Sequence, residues 1–277
     1  MDARSDAPDT VVLIHGLWLT ALSWEKWVDR YEKRGFRVIA RSWPGTEGDI
    51  DELRRDPSGI EHLGIEEIVD HYEAIVKTLD SPPIIMGHSF GGAVTEVLLD
   101  RGLGAAGVGI DAAQMKGIKR LPFAQIKSSF PVLRSPANRH KAVALNEHEF
   151  RYAFGNTLSE EDSRANWARY AVPSPGRVLF QAAFANFNPH AATHVDYANA
   201  DRAPLLLIGG GADHTVPPSI DRAQARAYGR STAITEYKEF PGRSHFTVGE
   251  PGWEAVADYA LDWAVEHART APPVAAG

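Results

Sequence analysis

Residues 84–94 read IIMGHSFGGAV, and this stretch decides the fold. Its bulky apolar side chains stop at Gly87, and Ser89 stands two residues from a glycine on either side. An apolar run that ends in such small residues before a helical pattern requires a sharp turn, because glycine lets two backbones approach closely. The stretch therefore predicts a strand, a tight turn that presents the serine, and a helix.

The segment GHSFG (87–91) matches the pattern G-x-S-x-G, which is typical of a nucleophile elbow when it joins a strand to a helix. A pattern this short also occurs by chance, so the prediction depends on its position between a strand and a helix. In such a turn the serine hydroxyl is held above the sheet, and the first amides of the following helix favour a negatively charged oxygen. We predict that Ser89 is a nucleophile and that the Phe90 amide donates to an oxyanion.

A serine hydroxyl needs a base, and the base needs a group that orients it. His245 lies in FPGRSHFTVGEPGWEAV (240–256), after a predicted strand and before a terminal helix. Asp213 lies in LLLIGGGADHTVPP (205–218), after an apolar strand and a run of glycines. Both side chains are therefore expected at the same edge of the sheet as Ser89. The order serine, acid, histidine along the chain is typical of a single fold.

Six short apolar runs predict β-strands, since they are mostly rich in β-favouring residues and bounded by Gly, Pro or Asp. They are VVLI (11–14), FRVIA (36–40), PIIM (83–86), AGVGI (106–110), PLLLI (204–208) and ITEYKEF (234–240). Helical patterns alternate with them: an apolar stripe from Ile65 to Leu79, SWEKWVDRYEKRG (23–35) with Ser23 as its N-cap, and AVTEVLLDRG (93–102). This alternation predicts a largely parallel sheet covered by helices on both faces.

One region interrupts the alternation. Residues 113–198 contain no strand-like run, and instead show helical patches separated by prolines. We interpret them as a mostly helical insertion between two core strands, positioned over the carboxyl edge of the sheet. The alternative is a set of ordinary peripheral helices. The final residues, 269–277, are predicted to be disordered.

Composition excludes several classes of function. With 36 acidic and 29 basic residues the net charge is −7, and no Lys/Arg run occurs, so we expect no attraction to nucleic acid or anionic lipid. The absence of cysteine excludes disulfides and thiolate sites. The opening residues do not resemble a secretory signal, and no apolar stretch approaches the roughly 20 residues of a membrane span. We expect a soluble, cytoplasmic protein, and the sequence does not predict an oligomeric state.

No metal and no cofactor are expected. The sequence contains no H-E-x-x-H, no phosphate-binding G-x-x-x-x-G-K-[ST], and no dinucleotide-binding G-x-G-x-x-G in a first βαβ unit. His190 and His194 have the spacing of one helix face, but Pro189 breaks that helix and no carboxylate supports a zinc site.

Four motifs occur in a fixed order over nearly the whole chain: VVLIHGLW (11–18), GHSFGG (87–92), GGADHTVP (210–217) and FPGRSHF (240–246). By these motifs the sequence resembles the α/β-hydrolase superfamily. The resemblance implies Ser89 as nucleophile, His245 as general base and Asp213 as the orienting acid. It also implies that the Leu17 amide is the second oxyanion donor.

The resemblance further implies the α/β-hydrolase fold, with a core formed by residues 1–112 and 199–277 and a helical cap at 113–198 that covers the substrate pocket. Only about ten residues precede the first strand, too few for the family's two opening strands. We therefore expect about six strands. Asp111, directly after AGVGI, occupies the other position at which this fold can carry its acid, so that alternative stays open.

The predicted function is that of a serine hydrolase acting on a small to medium hydrophobic carboxylic ester through an acyl-enzyme intermediate. Lactones, thioesters and C–C bonds are cleaved by the same three side chains and remain alternatives. Dehalogenases and epoxide hydrolases of this fold need a carboxylate where Ser89 stands. A non-catalytic ligand-binding protein on a hydrolase scaffold is the alternative of another class.

Several further residues are candidates for supporting roles. Trp18 and Val216 are candidates for lining an apolar substrate pocket, although apolar residues are more often part of the core. The same holds for four aromatic residues of the insertion: Trp167, Phe180, Phe184 and Phe187. His15 and His88 are predicted to support the site through hydrogen bonds and packing, and His214 is predicted to be a loop residue.

Overall fold

The computed structural model describes residues 7–269, and within them the strands form one large sheet and one small one. The strands are β1 (Thr10–Ile14), β2 (Arg37–Ala40), β3 (Ile84–His88), β4 (Ala106–Ile110), β5 (Ala142–Val143), β6 (Ser174–Pro175), β7 (Leu205–Gly210) and β8 (Thr235–Phe240). Six strands form the large sheet in the order β2-β1-β3-β4-β7-β8, and every neighbouring pair is parallel. The predicted α/β-hydrolase sheet of about six strands is confirmed.

Ten α-helices surround the sheet in the described part of the chain. They are α1 (Glu25–Lys33), α2 (Ile50–Arg55), α3 (Ile65–Lys77), α4 (Phe90–Asp100), α5 (Phe123–Leu133), α6 (Glu147–Ala153), α7 (Glu160–Tyr170), α8 (Gly176–Ala183), α9 (Pro218–Tyr228) and α10 (Trp253–His267). None of the helices within residues 7–269 has the length and apolar character needed to cross a bilayer.

The two faces of the sheet are covered by different helices because side chains alternate along each strand. In β1, Val11 and Leu13 belong to an apolar cluster shared with α1 and α10. Val12 and Ile14 point the other way, into a cluster shared with α3 and α4. The predicted coverage of both faces is confirmed.

Most element boundaries differ from the predictions by only one or two residues, and two helix starts differ for a visible reason. Ser23 does not cap α1; it lies in a short 3-10 turn (Ala21–Trp24) that Thr20 caps through its side chain. The Ser23 hydroxyl instead donates to the Thr20 carbonyl at 2.8 Å. Helix α4 begins at Phe90, three residues earlier than the apolar pattern indicated, so it starts directly after Ser89.

The segment between β4 and β7 contains the four helices α5 to α8, joined by irregular stretches. It also contains a feature that the sequence did not predict, the two-residue antiparallel pair β5–β6, in which Val143 pairs with Ser174. A pair this short has no periodicity to detect. Buried side chains of the segment, Phe150 and Phe154 among them, join the same cluster as Val12 of β1. The segment thus packs against the core rather than standing apart from it.

The sequence predicts disorder for residues 269–277. All of these residues after Arg269 lie outside the described part of the chain.

Candidate active site

Ser89 occupies a strained turn between β3 and α4, with φ 56° and ψ −119°. A positive φ in a residue other than glycine costs of order 1–3 kcal/mol and persists only where the surroundings enforce it. A Cβ atom at Gly87 would overlap the carbonyl oxygen of Gly91, and one at Gly91 would overlap that of Ile14. The two glycines therefore allow the strand and helix to meet closely enough to hold the serine in this conformation.

Three side chains from separate loops converge at the carboxyl edge of the sheet. His245 Nε2 lies 3.0 Å from Ser89 Oγ, and His245 Nδ1 lies 2.6 Å from Asp213 Oδ2. The second oxygen of Asp213 accepts the amides of Thr215 at 2.6 Å and Val216 at 2.9 Å. With its proton on Nδ1, donated to the carboxylate, the imidazole leaves Nε2 free to accept the serine hydroxyl. This arrangement can carry a proton away from Ser89.

Asp111, the alternative acid, lies buried at the end of β4 with φ 46°. Its Oδ1 accepts the Gly210 amide at 2.5 Å, and its Oδ2 has no hydrogen-bond partner among residues 7–269. Burial and the neighbouring carboxylate of Asp213 raise the pKa of Asp111 well above its usual range. The carboxyl that hydrogen-bonds to His245 is that of Asp213, so the geometry favours Asp213 as the orienting acid.

Two buried histidines hold the surrounding backbone in place. His88 donates from Nε2 to the carbonyl of His245 at 2.7 Å, and burial, followed by His245 itself, lowers the pKa of His88 well below its usual value. His15 accepts the Trp43 amide at Nε2 and donates from Nδ1 to the Gly16 carbonyl. Burial lowers the pKa of His15 to about 4. Both rings are therefore neutral near pH 7 and act as fixed hydrogen-bonding groups.

The two predicted oxyanion donors lie beside the serine. Phe90 is the first residue of α4, and neither its amide nor that of Leu17 has a hydrogen-bond acceptor among the described residues. A Cβ atom at Gly16 would lie 2.7 Å from Ser89 Cβ, so the loop that carries Leu17 packs directly against the serine. Free amides in this position can receive a negatively charged oxygen.

A family model described as the alpha/beta hydrolase family matches residues 11–259. The chain belongs to this family. No curated protein matches the sequence at a significant level.

Solved structures of similar fold cover nearly all of this α/β hydrolase. A monoacylglycerol lipase of Paleococcus ferrophilus superposes with a TM-score of 0.65 at 22% identity, covering 95% of this chain and 96% of its own. An extracellular α/β-hydrolase from a Paenibacillus species has a TM-score of 0.66 at 22% identity, and the match covers 95% of this chain and 100% of that one. A thermophilic esterase from Thermogutta terrifontis has a TM-score of 0.64 at 19% identity, and the match covers 95% of this chain and 92% of that one. At these identities the likeness shows the fold.

The loop after Gly16 is fastened to the insertion of the hydrolase at Trp18, which has φ 61°. The Trp18 amide donates to Ser174 Oγ, its indole Nε1 donates to the Val143 carbonyl at 3.0 Å, and its carbonyl accepts the Val172 amide at 3.0 Å. These three bonds connect the loop to the β5–β6 pair and to the residues before it. We call this set of contacts the Trp18 clamp. No sequence signal marked Ser174, which lies between two prolines in an irregular stretch.

Phe154 is a second site residue that the sequence did not single out. Its ring lies 4.9 Å from the imidazole of His245 in an edge-on arrangement, and 6.1 Å from the indole of Trp18. Its carbonyl accepts the Phe246 amide at 3.0 Å. A weak signal existed, since Phe150 and Phe154 are four residues apart and so share one helix face. Phe154 thus covers one side of the His245 ring, and both side chains are buried.

The site is closed. Ser89 is 4% exposed and His245 is fully buried. Trp18 and Val216, the candidate pocket residues, are buried beside them at 4% and 2% exposure. The aromatic candidates of the insertion are more exposed to solvent. Trp167 and Phe180 are half-buried, whereas Phe184 and Phe187 are 56% and 84% exposed. Phe184 and Phe187 therefore do not line an enclosed pocket in this conformation.

Side-chain atoms of His88, Asp111 and His245 lie within 4.8 Å of one another, which is close enough to suggest a metal site. His88 Nδ1 and Asp111 Oδ2 have no hydrogen-bond partner among residues 7–269, but the other nitrogens of the two histidines are engaged. Nε2 of His88 bonds to a carbonyl, and the ring nitrogens of His245 face Asp213 and Ser89. The donor set fits proton transfer better than metal ligation.

Proposed function

We propose that this α/β hydrolase is a serine hydrolase that cleaves small to medium hydrophobic carboxylic esters through an acyl-enzyme intermediate. The observation that carries the proposal is the continuous path from Ser89 Oγ through the His245 ring to Asp213, with separations of 3.0 and 2.6 Å. Two unbonded amides beside the serine support the same chemistry. A metal or cofactor plays no part in the proposed steps.

In the first half of the reaction, Ser89 Oγ attacks the carbonyl carbon of the ester while His245 Nε2 takes the hydroxyl proton. The carbonyl oxygen becomes an oxyanion, which accepts hydrogen bonds from the amides of Leu17 and Phe90. When the C–O bond to the alcohol breaks, His245 passes its proton to the leaving oxygen. The products of this half are an alcohol and an acyl group bound to Ser89.

In the second half, a water molecule attacks the acyl carbon and gives its proton to His245. The tetrahedral intermediate collapses, the bond to Ser89 Oγ breaks, and the serine recovers its proton. Asp213 remains ionised throughout and holds the imidazole with its Nδ1 proton toward the carboxylate. The buried surroundings keep competing water away from the hydrogen bonds on which both halves depend.

We propose that residues 113–198 form a cap over a core made of residues 1–112 and 199–277. Contacts of Phe154 with the imidazole and of Ser174 with the Trp18 amide support this division, because both join residues of the insertion to the proposed site. The apolar residues that surround the site, Leu17 and Val216 among them, favour a hydrophobic acyl chain. Neighbouring folds named as an esterase and a monoacylglycerol lipase agree with an ester substrate.

The decisive experiment is a panel of aryl esters of rising acyl length, assayed beside a lactone and a thioester. We expect the highest kcat/KM for a short or medium acyl ester. Higher kcat/KM for the lactone or thioester would assign the same side chains to that bond instead. Labelling with a fluorophosphonate should block activity. No labelling and no turnover on any substrate would favour the ligand-binding alternative.

The Trp18 clamp provides a prediction about a residue outside the reacting groups. Replacing Ser174 with alanine removes the acceptor of the Trp18 amide, so the loop that carries Leu17 can relax. Because loss of one oxyanion donor costs roughly 10²–10³ in turnover, partial displacement should lower kcat about tenfold. KM should change less than kcat, since Ser174 bonds to the backbone of Trp18 and not to its side chain. Steady-state kinetics on the best aryl ester measure both.

Ser128→Ala is the matched control, because Ser128 is also a buried serine of the insertion, and its hydroxyl donates to the Gln125 carbonyl instead. Ser174→Thr keeps the hydroxyl and should recover most of the lost turnover. An unchanged kcat in Ser174→Ala, or an equal loss in both alanine variants, would contradict a positioning role.

A further inference from the structure

Helix α5 presents its large apolar side chains to solvent. Phe123, Ile126 and Phe130 are 78%, 44% and 59% exposed. Their spacing of three and four residues places them on one face of the helix. The opposite side, which includes Ser128 and Val132, is the side that packs inward. This is the reverse of the usual arrangement for a surface helix.

The exposed apolar surface continues beyond the helix. Asn186 accepts the Gly117 amide and donates to the Ile118 carbonyl, which brings the turn at 185–187 beside the segment that leads into α5. Leu121, Phe184 and Phe187 are 71%, 56% and 84% exposed in these two segments. We call the resulting surface the insertion patch, and its members are Leu121, Phe123, Ile126, Phe130, Phe184 and Phe187. They are six of the eight large apolar residues exposed in the described part of the chain.

The stretch of chain that carries most of the insertion patch is rich in positive charge. No acidic residue occurs between Asp111 and Glu147, although the protein as a whole carries a net charge of −7. Exposed cations of this stretch are Lys119, Arg120, Lys127, Arg134, Arg139 and Lys141. None of these six forms an ion pair with a carboxylate within residues 7–269. We predicted no attraction to anionic lipid from the overall charge and from the absence of a Lys/Arg run. Neither property reveals that these cations are concentrated in this stretch.

We propose that the insertion patch and its cations dock the protein onto the surface of an anionic lipid aggregate. Protruding aromatic and aliphatic side chains enter the boundary between headgroups and acyl chains, while lysine and arginine bind the lipid phosphates. The charge argues against a second copy of the chain as the occupant. A two-fold contact through this patch would place the same cations face to face. The proposal does not depend on the chemistry at Ser89, because binding is measured without turnover.

The insertion patch lies close to the closed site. The ammonium group of Lys127 lies 3.9 Å from the centre of the Tyr152 ring, which in turn lies 4.6 Å from the ring of His214. His214 follows Asp213 directly, and its Nδ1 donates to the Tyr152 carbonyl at 3.1 Å. A docked molecule therefore holds the covering segment of the site against the lipid, from which an apolar ester can enter without crossing water.

Co-sedimentation with vesicles tests the proposal. Vesicles of phosphatidylcholine alone are compared with vesicles that also contain phosphatidylglycerol. We expect binding to the anionic vesicles, weaker binding as salt rises, and little binding to the neutral ones. Phe123→Ala/Phe130→Ala should weaken binding about tenfold. Lys119→Gln/Arg120→Gln should weaken it roughly 25-fold, since each cation near an anionic surface contributes on the order of fivefold.

Matched controls change similar residues elsewhere. Ile234→Ala/Val265→Ala alters the two exposed apolar residues outside the insertion patch, and Arg55→Gln/Arg230→Gln alters two exposed cations. The controls should bind as the wild type does. The apolar and charged pairs test the patch independently, so misfolding of one leaves the other informative.

Three results would overturn the proposal: no binding to anionic vesicles, equal binding by patch and control variants, or a dimer in sedimentation velocity that the patch variants dissociate. The last result would assign the insertion patch to a second copy of the chain.

Discussion

Replacing Ser89 with alanine is expected to lower the turnover of aryl esters by roughly 10⁴-fold or more, because no other group can form the acyl-enzyme. His245 is buried and positioned for the hydroxyl of Ser89 alone, at 3.0 Å. The oxyanion amides and the pocket remain in the variant, so ester binding should survive while chemistry does not. The measurement is kcat on the best aryl ester, together with mass spectrometry of the acylated protein.

Ser23→Ala serves as the control for this prediction, since Ser23 is a buried serine whose hydroxyl donates to a backbone carbonyl away from the site. It should retain the wild-type kcat. The thermal midpoint of Ser89→Ala should stay near that of the wild type, because alanine occupies the same strained turn without a larger side chain. Residual turnover within about tenfold of wild type, with an acyl group still attached to the protein, would exclude Ser89 as the nucleophile.

Asp213→Asn should lower kcat by about 10⁴-fold, whereas Asp111→Asn should stay within about tenfold of the wild type. An amide at position 213 donates a hydrogen bond to Nδ1 of His245, which forces the ring proton to Nε2 and blocks acceptance of the serine hydroxyl. Position 111 differs. Burial and the Asp213 carboxylate raise the pKa of Asp111 well above its usual range, which favours its neutral form, and an amide is close to that form in shape and charge.

Comparing the two asparagine variants decides between the acids, since both replace a buried carboxyl at the same edge of the sheet. Kinetics at several pH values, with a thermal melt of each variant, separate a catalytic effect from unfolding. A larger loss of kcat in Asp111→Asn than in Asp213→Asn, in a folded protein, would reverse the assignment. The acid would then follow β4 rather than β7.

Much of the fold could be predicted because its signals are local. Most strands of the large sheet are short apolar runs, and the motif around Ser89 contains the glycines that its turn requires. The carboxyl ends of parallel strands meet at one edge, so residues that follow β3, β7 and β8 were expected to be neighbours. Ser89, Asp213 and His245 could be nominated from position alone.

Contacts between distant segments could not be predicted in this way. The bond between the Trp18 amide and Ser174 joins residues 156 positions apart, and the two-residue strands that hold Ser174 carry no repeat. The orientation of α5 is another case. Phe123, Ile126 and Phe130 have the spacing of a helix that faces a core, and only the packed structure places them outside. Residue type and spacing define a face; they do not define what lies against it.

The Trp18 clamp also restricts how a substrate can reach the buried serine. Its three bonds tie β5 and β6 to Trp18, so moving this pair away would also displace the Leu17 amide, which we propose as an oxyanion donor. A substrate entrance that leaves this amide in place is therefore expected to open away from the β5–β6 pair.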